Sequence, residues 1–99
     1  EDRPRLMGFR PVDRTRELRS GAHFVDPGEA VTTGNDLGWM SSAAWSPTLG
    51  HSIGLGFIRR GAARLGDVVV AADPLRGEMI EVEIVSPHFV DPDGERLRG

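Results

Sequence analysis

The stretch WMSSAAWSPTLGHSIGLGF, residues 39–57, decides the fold class. In its first half the side chains alternate with the period of two that is typical of a β-strand. One face is expected to carry Trp39, Ser41, Ala43 and Trp45, and the other Met40, Ser42 and Ala44. The first face would then hold both tryptophans of the protein.

The second half of the stretch predicts a strand with one bulky and one nearly bare face. Ile53, Leu55 and Phe57 alternate there with Gly54 and Gly56. Glycine in a strand interior often marks a close approach of another backbone. We therefore expect another segment to cross the glycine face closely.

Between the two halves, Ser46-Pro47-Thr48-Leu49-Gly50 predicts a rigid corner. The proline ring keeps Ser46 extended, the Ser46 hydroxyl can cap backbone amides, and Gly50 permits the chain to reverse. Two interpretations remain open: a corner that only shapes the fold, and a corner that also forms a ligand wall beside the stacking face of Trp45.

The rest of the chain repeats short apolar runs between 13 glycines and 7 prolines, a spacing typical of an antiparallel sandwich or barrel. Strands are predicted at residues 6–10, 22–25, 30–33, 39–45, 53–57, 68–72 and 80–84, and turns at 26–28, 34–38, 73–77 and 91–94. The Arg-rich residues 14–19 are interpreted as a solvated connection or a single helical turn. We expect residues 1–99 to form one all-β domain, a small antiparallel β-barrel or jelly-roll-like domain of about six to seven short strands.

Composition and charge exclude several classes of function. With 99 residues, 38% hydrophobic and 27% charged, the chain has the balance of a single soluble domain. The net charge of -3 argues against sequence-independent nucleic-acid binding, which needs an excess of basic residues. The absence of cysteine excludes disulfides and thiol nucleophiles and fits a cytoplasmic protein. The chain starts at Glu1 without an apolar leader, so we expect no signal peptide, no membrane span, and a protein that was processed or cut from something longer.

Catalytic and metal-binding patterns are not found in the sequence. The histidines are far apart and have no second ligand at the spacing of a metal site: His23, His51 and His88. Ser46 and His51 lie across one tight turn, which is a poor geometry for a serine nucleophile and its base. Glu81 and Glu83 share the outward face of one strand, so they are not expected to act as a general acid and base. We assign no catalytic residue and no metal ligand.

The stretch Trp39 to Gly56, with a small-residue strand, S-P-x-L-G and then alternating apolar residues, resembles the C-terminal barrel of the aminomethyltransferase family. That family includes the glycine cleavage T proteins and dimethylglycine dehydrogenases. The ending, residues 86–99, contains D-P-D-G-E-R-L-R-G and looks most like the α subunits of sarcosine oxidases. His51 departs from the basic residue that often follows the glycine of the motif, and Trp45 from the Phe or Tyr of many relatives.

The resemblance implies that the parent protein oxidises sarcosine and passes a one-carbon unit to tetrahydrofolate. The barrel would close one side of the folate cavity, with Trp45, Ser46, Pro47 and Leu49 as the wall. Tetrahydrofolate would bind in the parent protein, and FAD, FMN and NAD in the parent complex, with none of them bound to this chain alone. The implied partners are a preceding aminomethyltransferase domain of the same chain and other sarcosine oxidase subunits, without nucleic acid or membrane.

Three alternatives stay open. The chain could be the C-terminal domain of a glycine cleavage T protein or of a dimethylglycine dehydrogenase-like enzyme. It could be a stand-alone OB-like or SH3-like barrel that binds a peptide or single-stranded nucleic acid through Trp39 and Trp45. It could also be a structural domain without a ligand of its own.

Overall fold

The fold is a closed six-stranded antiparallel barrel, seen in a computed structural model that describes residues 3–90, with the backbone alone for 89 and 90. The strands are β1 (Pro4–Pro11), β2 (His23–Val25), β3 (Gly38–Ser46), β4 (His51–Arg59), β5 (Val68–Asp73) and β6 (Glu78–Val85). Two 3-10 turns, Thr33–Asn35 and Gly61–Arg64, and a short helix α1 (Pro87–Val90) complete the described elements. The predicted all-β barrel is confirmed, whereas the turn expected at residues 91–94 lies outside the described residues.

The barrel closes because β1 lies between two strands that are distant in sequence. The order around the barrel is β1-β4-β3-β2-β5-β6, and β6 pairs again with β1. The predicted hairpin of residues 68–72 and 80–84 is confirmed, with Ala71 opposite Ile80. Its turn has Gly77 at φ 67°, a left-handed conformation that glycine adopts at little cost.

The strand predicted at residues 30–33 is wrong. This segment is exposed and ends in the 3-10 turn Thr33–Asn35. Its hydrogen bonds close locally, since Thr32 N–H donates to the Ala30 carbonyl and Asn35 N–H to the Thr32 carbonyl. Local bonds of this kind compete with strand pairing and here satisfy the backbone without it.

The interior of the barrel is a single apolar core. Phe9 on β1 and Phe24 on β2 stack at its centre with ring centroids 4.3 Å apart, and both are fully buried. The residues packed around them include Met7, Leu18, Met40, Ile58, Val69, Val82 and Ile84. Burying aromatic and branched side chains of this size is the main favourable contribution to the stability of such a small domain.

The glycine face of β4 points into this core. A Cβ atom built at Gly54 would collide with the sulfur of Met40, and one built at Gly56 would lie 2.5 Å from the Trp39 carbonyl oxygen. The predicted close crossing is therefore confirmed, because the backbone and the Met40 side chain of β3 occupy the bare face. Ile53 and Leu55, which alternate with these glycines, belong to a second apolar cluster with Val85.

The predicted face of the two tryptophans is wrong, because β3 contains a β-bulge. Met40 lies opposite Gly56 but Ser42 lies opposite Leu55, so Ser41 is an extra residue without a partner position. An extra residue inverts the side-chain alternation beyond it. Trp39, opposite Phe57, therefore lies on the outer face, whereas Trp45, opposite Ser52, has the orientation of the interior residues.

Candidate functional site

The predicted corner joins β3 to β4 at one end of the barrel. Ser46 is fully buried, its hydroxyl accepts a hydrogen bond from the Leu49 amide at 3.2 Å, and its carbonyl accepts one from the Gly50 amide at 2.8 Å. Gly50 has φ 76°, the left-handed conformation that reverses the chain. The predicted capping role of Ser46 and the predicted reversal at Gly50 are confirmed.

Beside the corner, Trp45 lines a groove of about 270 Å³. Its side chain is 54% exposed and forms one wall. The other residues of this Trp45 groove are Glu17, Leu18, Arg19, Ser20, Ala43, Ala44, Ser52 and Arg76. The groove is thus built by four stretches of the chain: residues 17–20, residues 43–45 of β3, Ser52 of β4 and Arg76 of the β5–β6 turn.

The four residues predicted from the family resemblance do not all lie in the groove. Trp45 lines it, and Ser46 supports the turn from a buried position. Pro47 and Leu49 are exposed on the turn and are not among the residues that line the groove. The structure therefore brings Trp45 to a concave surface and places the other three beside it as the corner.

The floor of the groove depends on Leu18, which the sequence pattern did not reveal. Leu18 is 5% exposed and packs into the barrel core, and its amide donates to the Ser52 hydroxyl at 3.0 Å. This contact fixes the segment of residues 14–19 across the barrel end. One leucine within an Arg-rich stretch was the only signal in the sequence that this connection is anchored.

Two arginines give the groove its charge pattern. Arg19 Nε lies 3.3 Å from the Glu78 carboxylate, and Arg76 lies 2.7 Å from the Asp73 carboxylate. The hydrogen bond from the Arg76 side chain lowers the pKa of Asp73, and burial opposes this shift. Asp73 therefore stays ionised in the folded protein and orients Arg76 at the edge of the groove.

The histidines make separate contacts. The buried His51 donates from Nδ1 to the Ser52 carbonyl at 2.9 Å, and His23 Nδ1 lies 2.8 Å from Asp36 on the outer wall. His88 lies on α1. Within residues 3–90, no group of three or more His, Cys, Asp or Glu side chains is arranged to hold a metal ion.

The chemistry that the groove can offer is binding. An indole face can stack on a planar ring, and guanidinium groups can donate hydrogen bonds to carboxylate or carbonyl oxygens at its rim. Among residues 3–90, no helix is long and apolar enough to cross a membrane. The fold and the corner define the class: a small closed antiparallel β-barrel with an aromatic groove at one end.

Comparison with known proteins identifies the family within this class. The model of the glycine cleavage T-protein C-terminal barrel domain matches residues 5–91. The chain therefore belongs to the family of C-terminal barrel domains found in aminomethyltransferases and sarcosine oxidase α subunits.

Three relatives illustrate the range of the family. The chain is 41% identical over 96 residues to the sarcosine oxidase subunit alpha of Rhizobium meliloti and 36% identical over 101 residues to that of Corynebacterium sp. strain P-1. These matches cover 97% and 100% of the chain but 10% of each relative. It is 34% identical to the aminomethyltransferase of Saccharopolyspora erythraea, covering 86% of the chain and 21% of that protein.

A solved structure confirms the fold. The crystal structure of the glycine cleavage system aminomethyltransferase T from Bartonella henselae superposes with a TM-score of 0.66 at 23% identity. The match covers 97% of the chain and 24% of that protein. The barrel thus corresponds to one domain within larger relatives.

Proposed function

We propose that this barrel is the C-terminal domain of a longer protein similar to the sarcosine oxidase α subunit, and that it helps to form a tetrahydrofolate cavity. In that cavity a one-carbon unit from oxidised sarcosine would be transferred to folate. The observation that carries the proposal is the 41% identity to the Rhizobium meliloti sarcosine oxidase subunit alpha over 97% of the chain.

The Trp45 groove is the part of the barrel proposed to face the folate. Trp45 offers an exposed ring, and Arg19 and Arg76 offer guanidinium groups at the rim. Ligand sites usually bury most of the ligand surface, whereas this groove is open on one side. Another domain would therefore have to supply the remaining walls, and the barrel alone is proposed to bind tetrahydrofolate weakly and to be non-catalytic.

The chemistry of the parent protein would lie outside this chain. Tetrahydrofolate would bind between the barrel and a preceding aminomethyltransferase domain. FAD, FMN and NAD would bind to other parts of the parent complex, together with its other subunits, in the cytoplasm. Within the barrel, the fixed turn of Ser46 and Gly50 would keep Trp45 in place when folate enters or leaves.

A second candidate function is that of a glycine-cleavage-type aminomethyltransferase, which the 34% identity to the Saccharopolyspora erythraea relative favours. The size of the native polypeptide separates the two. An antibody against this sequence can be used on a denaturing blot of the source organism. This sequence should make up about one tenth of the native chain in the first case, as in the Rhizobium meliloti relative, and 21% in the second, as in the Saccharopolyspora erythraea relative.

The same blot tests the proposal as a whole. A band near 10.8 kDa would show a stand-alone barrel and contradict it. If the native chain is long, isothermal titration of the purified protein should show tetrahydrofolate binding. The same titration of the 99-residue chain should show binding that is weak or undetectable.

A further inference from the structure

The outer wall of the barrel carries an apolar row that crosses three neighbouring strands. Leu6 on β1 lies opposite Phe57 on β4, and Phe57 lies opposite Trp39 on β3. Directly opposed residues share one face of a sheet, so the three side chains are neighbours on the outside. Leu6 is 44% and Trp39 42% exposed, and the rings of Trp39 and Phe57 are 5.3 Å apart. We call these three residues the Trp39 patch.

The neighbouring part of the same outer face is covered. Helix α1 packs against β1 and β4, and Ile53 and Val85 on this side of the barrel are buried in a cluster of their own. Part of the outer face, next to the Trp39 patch, is therefore covered by the chain itself. The Trp39 patch is a part that the described residues leave exposed, and contiguous exposed apolar groups of this kind mark interaction surfaces.

A polar rim borders the patch. A groove of about 210 Å³ runs along Trp39 and is lined also by Pro4, Leu37, Asp36 and Arg59. The Asp36 carboxylate already has partners, because it accepts a hydrogen bond from the Gly38 amide at 3.0 Å and contacts the His23 side chain. Arg59 adds an exposed positive charge. An apolar centre with a polar rim is the usual anatomy of a protein interface.

The position of β1 points to the occupant. Pro4 is both the first residue of β1 and part of the groove wall, so any polypeptide that precedes β1 enters the barrel beside Trp39. The barrel makes up 10% of the sarcosine oxidase α subunits to which it is similar. A domain joined to β1 by a short connection would meet this wall before any other part of the barrel.

We propose that the Trp39 patch is the docking surface for the preceding domain of the longer polypeptide. This inference rests on the proposed function, because it assumes that such a domain exists. The docked surface should be apolar opposite Trp39 and Phe57, and should present a carboxylate or carbonyl group to Arg59. The Trp45 groove lies on the other side of the bulge, so docking on the Trp39 patch does not occupy the groove proposed for folate.

Hydroxyl-radical footprinting of the native polypeptide, read by peptide mass spectrometry, tests the docking. Each oxidation rate is divided by the rate of the same residue after denaturation. Trp39 and Leu6 should be protected at least about tenfold, as strongly as the core residue Met40, because oxidation follows exposure. Met79, which is 52% exposed in the barrel, serves as the accessible reference.

The outcomes separate the docking from the proposed function. A native chain no longer than this sequence would overturn both. A long native chain in which Trp39 and Leu6 are oxidised as readily as Met79 would overturn the docking and leave the proposed function intact. Protection of Trp39 that disappears on dilution would show a second copy on the patch, and would also overturn the docking.

A charged variant provides an independent test in the native polypeptide. Trp39→Glu places a carboxylate at the centre of the patch, and we expect it to restore oxidation of Leu6 by at least about fivefold, since docking would have to strip the carboxylate of its water. The matched control is Leu75→Glu, at a position that is 98% exposed on the β5–β6 turn. An unchanged Leu6 rate in the Trp39→Glu protein would contradict the docking.

Discussion

The two tryptophans of β3 lie six positions apart in one strand and differ in what surrounds them. Trp39 lies on the outer wall against Phe57, in an apolar row with a polar rim. Trp45 lies at the barrel end beside arginines and a buried serine corner. One inserted residue, Ser41, separates the two orientations. A single strand can therefore serve a protein surface and a ligand groove when a bulge inverts its alternation.

Deletion of Ser41 should leave this difference unchanged. Without the extra residue, Met40 and Ser42 become consecutive and still lie opposite Gly56 and Leu55, so both tryptophans keep their faces. We expect a loss of about 1 kcal/mol in the free energy of unfolding, the usual cost of a change that leaves the core in place. Urea unfolding of the 99-residue chain measures it.

The matched control keeps the chain length. Ser41→Ala removes only the hydrogen bond from the Ser41 hydroxyl to the Leu55 carbonyl, 3.2 Å long and exposed, and should cost less than about 1 kcal/mol. A deletion that unfolds the barrel would show that Ser41 is not the extra residue of β3.

Gly56→Ala should have a larger effect, on the wall that carries Trp39. The added Cβ would lie 2.5 Å from the Trp39 carbonyl oxygen and 3.0 Å from the Met40 Cα, and backbone atoms cannot move aside as a flexible side chain can. A loss of about 1–3 kcal/mol is expected from overpacking. Gly34→Ala is the control, because its Cβ would meet only the Thr32 hydroxyl at 3.9 Å. Equal midpoints for both variants in urea would refute the close crossing.

Gly50→Ala acts on the corner beside Trp45 through backbone conformation alone. The position has φ 76° and open space around it, so an alanine there meets no atom but must adopt the left-handed conformation. We expect a loss of about 1 kcal/mol in thermal or urea unfolding. Gly50→Asn should lose less, because asparagine tolerates this conformation better. A larger loss for asparagine than for alanine would show that the corner has no left-handed residue.

The smallest expected effect on stability is that of low pH on the ion pair between Asp73 and Arg76, at the edge of the Trp45 groove. The Arg76 hydrogen bond lowers the pKa of Asp73 in the folded protein, so its contribution to stability is present above the unfolded pKa, about 3.9, and is lost as the pH falls through the folded value. The difference in unfolding free energy between the wild type and Arg76→Ala should therefore be constant near neutral pH and shrink below about pH 4. A difference that grows toward low pH would contradict this assignment.

Much of the fold could be predicted from the sequence because its signals are local. Alternation, glycine and proline indicated six of the strands and the corner at Ser46 and Gly50, and the family motif lies in the same stretch. The bulge could not be predicted, because Ser41 lies in a run of small residues, 41–44, that contains no signal for which of them is the extra one. The strand expected at 30–33 failed because local hydrogen bonds replaced the pairing.

The Trp45 groove could be predicted only in part. The sequence indicates Trp45 as a possible wall of a ligand site, because it lies next to the predicted corner at residues 46–50. Leu18 and Arg76 come from segments that the barrel brings together over long sequence distances, and a one-dimensional pattern contains no signal for such contacts. The sequence does not indicate the Trp39 patch as a separate surface, because regular alternation places both tryptophans on one face.

The proposed ligand role of the groove is tested most directly by the affinity of the native polypeptide for tetrahydrofolate. Isothermal titration calorimetry measures this affinity in the wild type, in Trp45→Ala and in Trp45→Phe. We predict binding by the wild type, about tenfold weaker binding by Trp45→Ala because a stacking face is lost, and binding close to wild type by Trp45→Phe. Wild-type affinity in Trp45→Ala, or no binding by the native polypeptide, would contradict it.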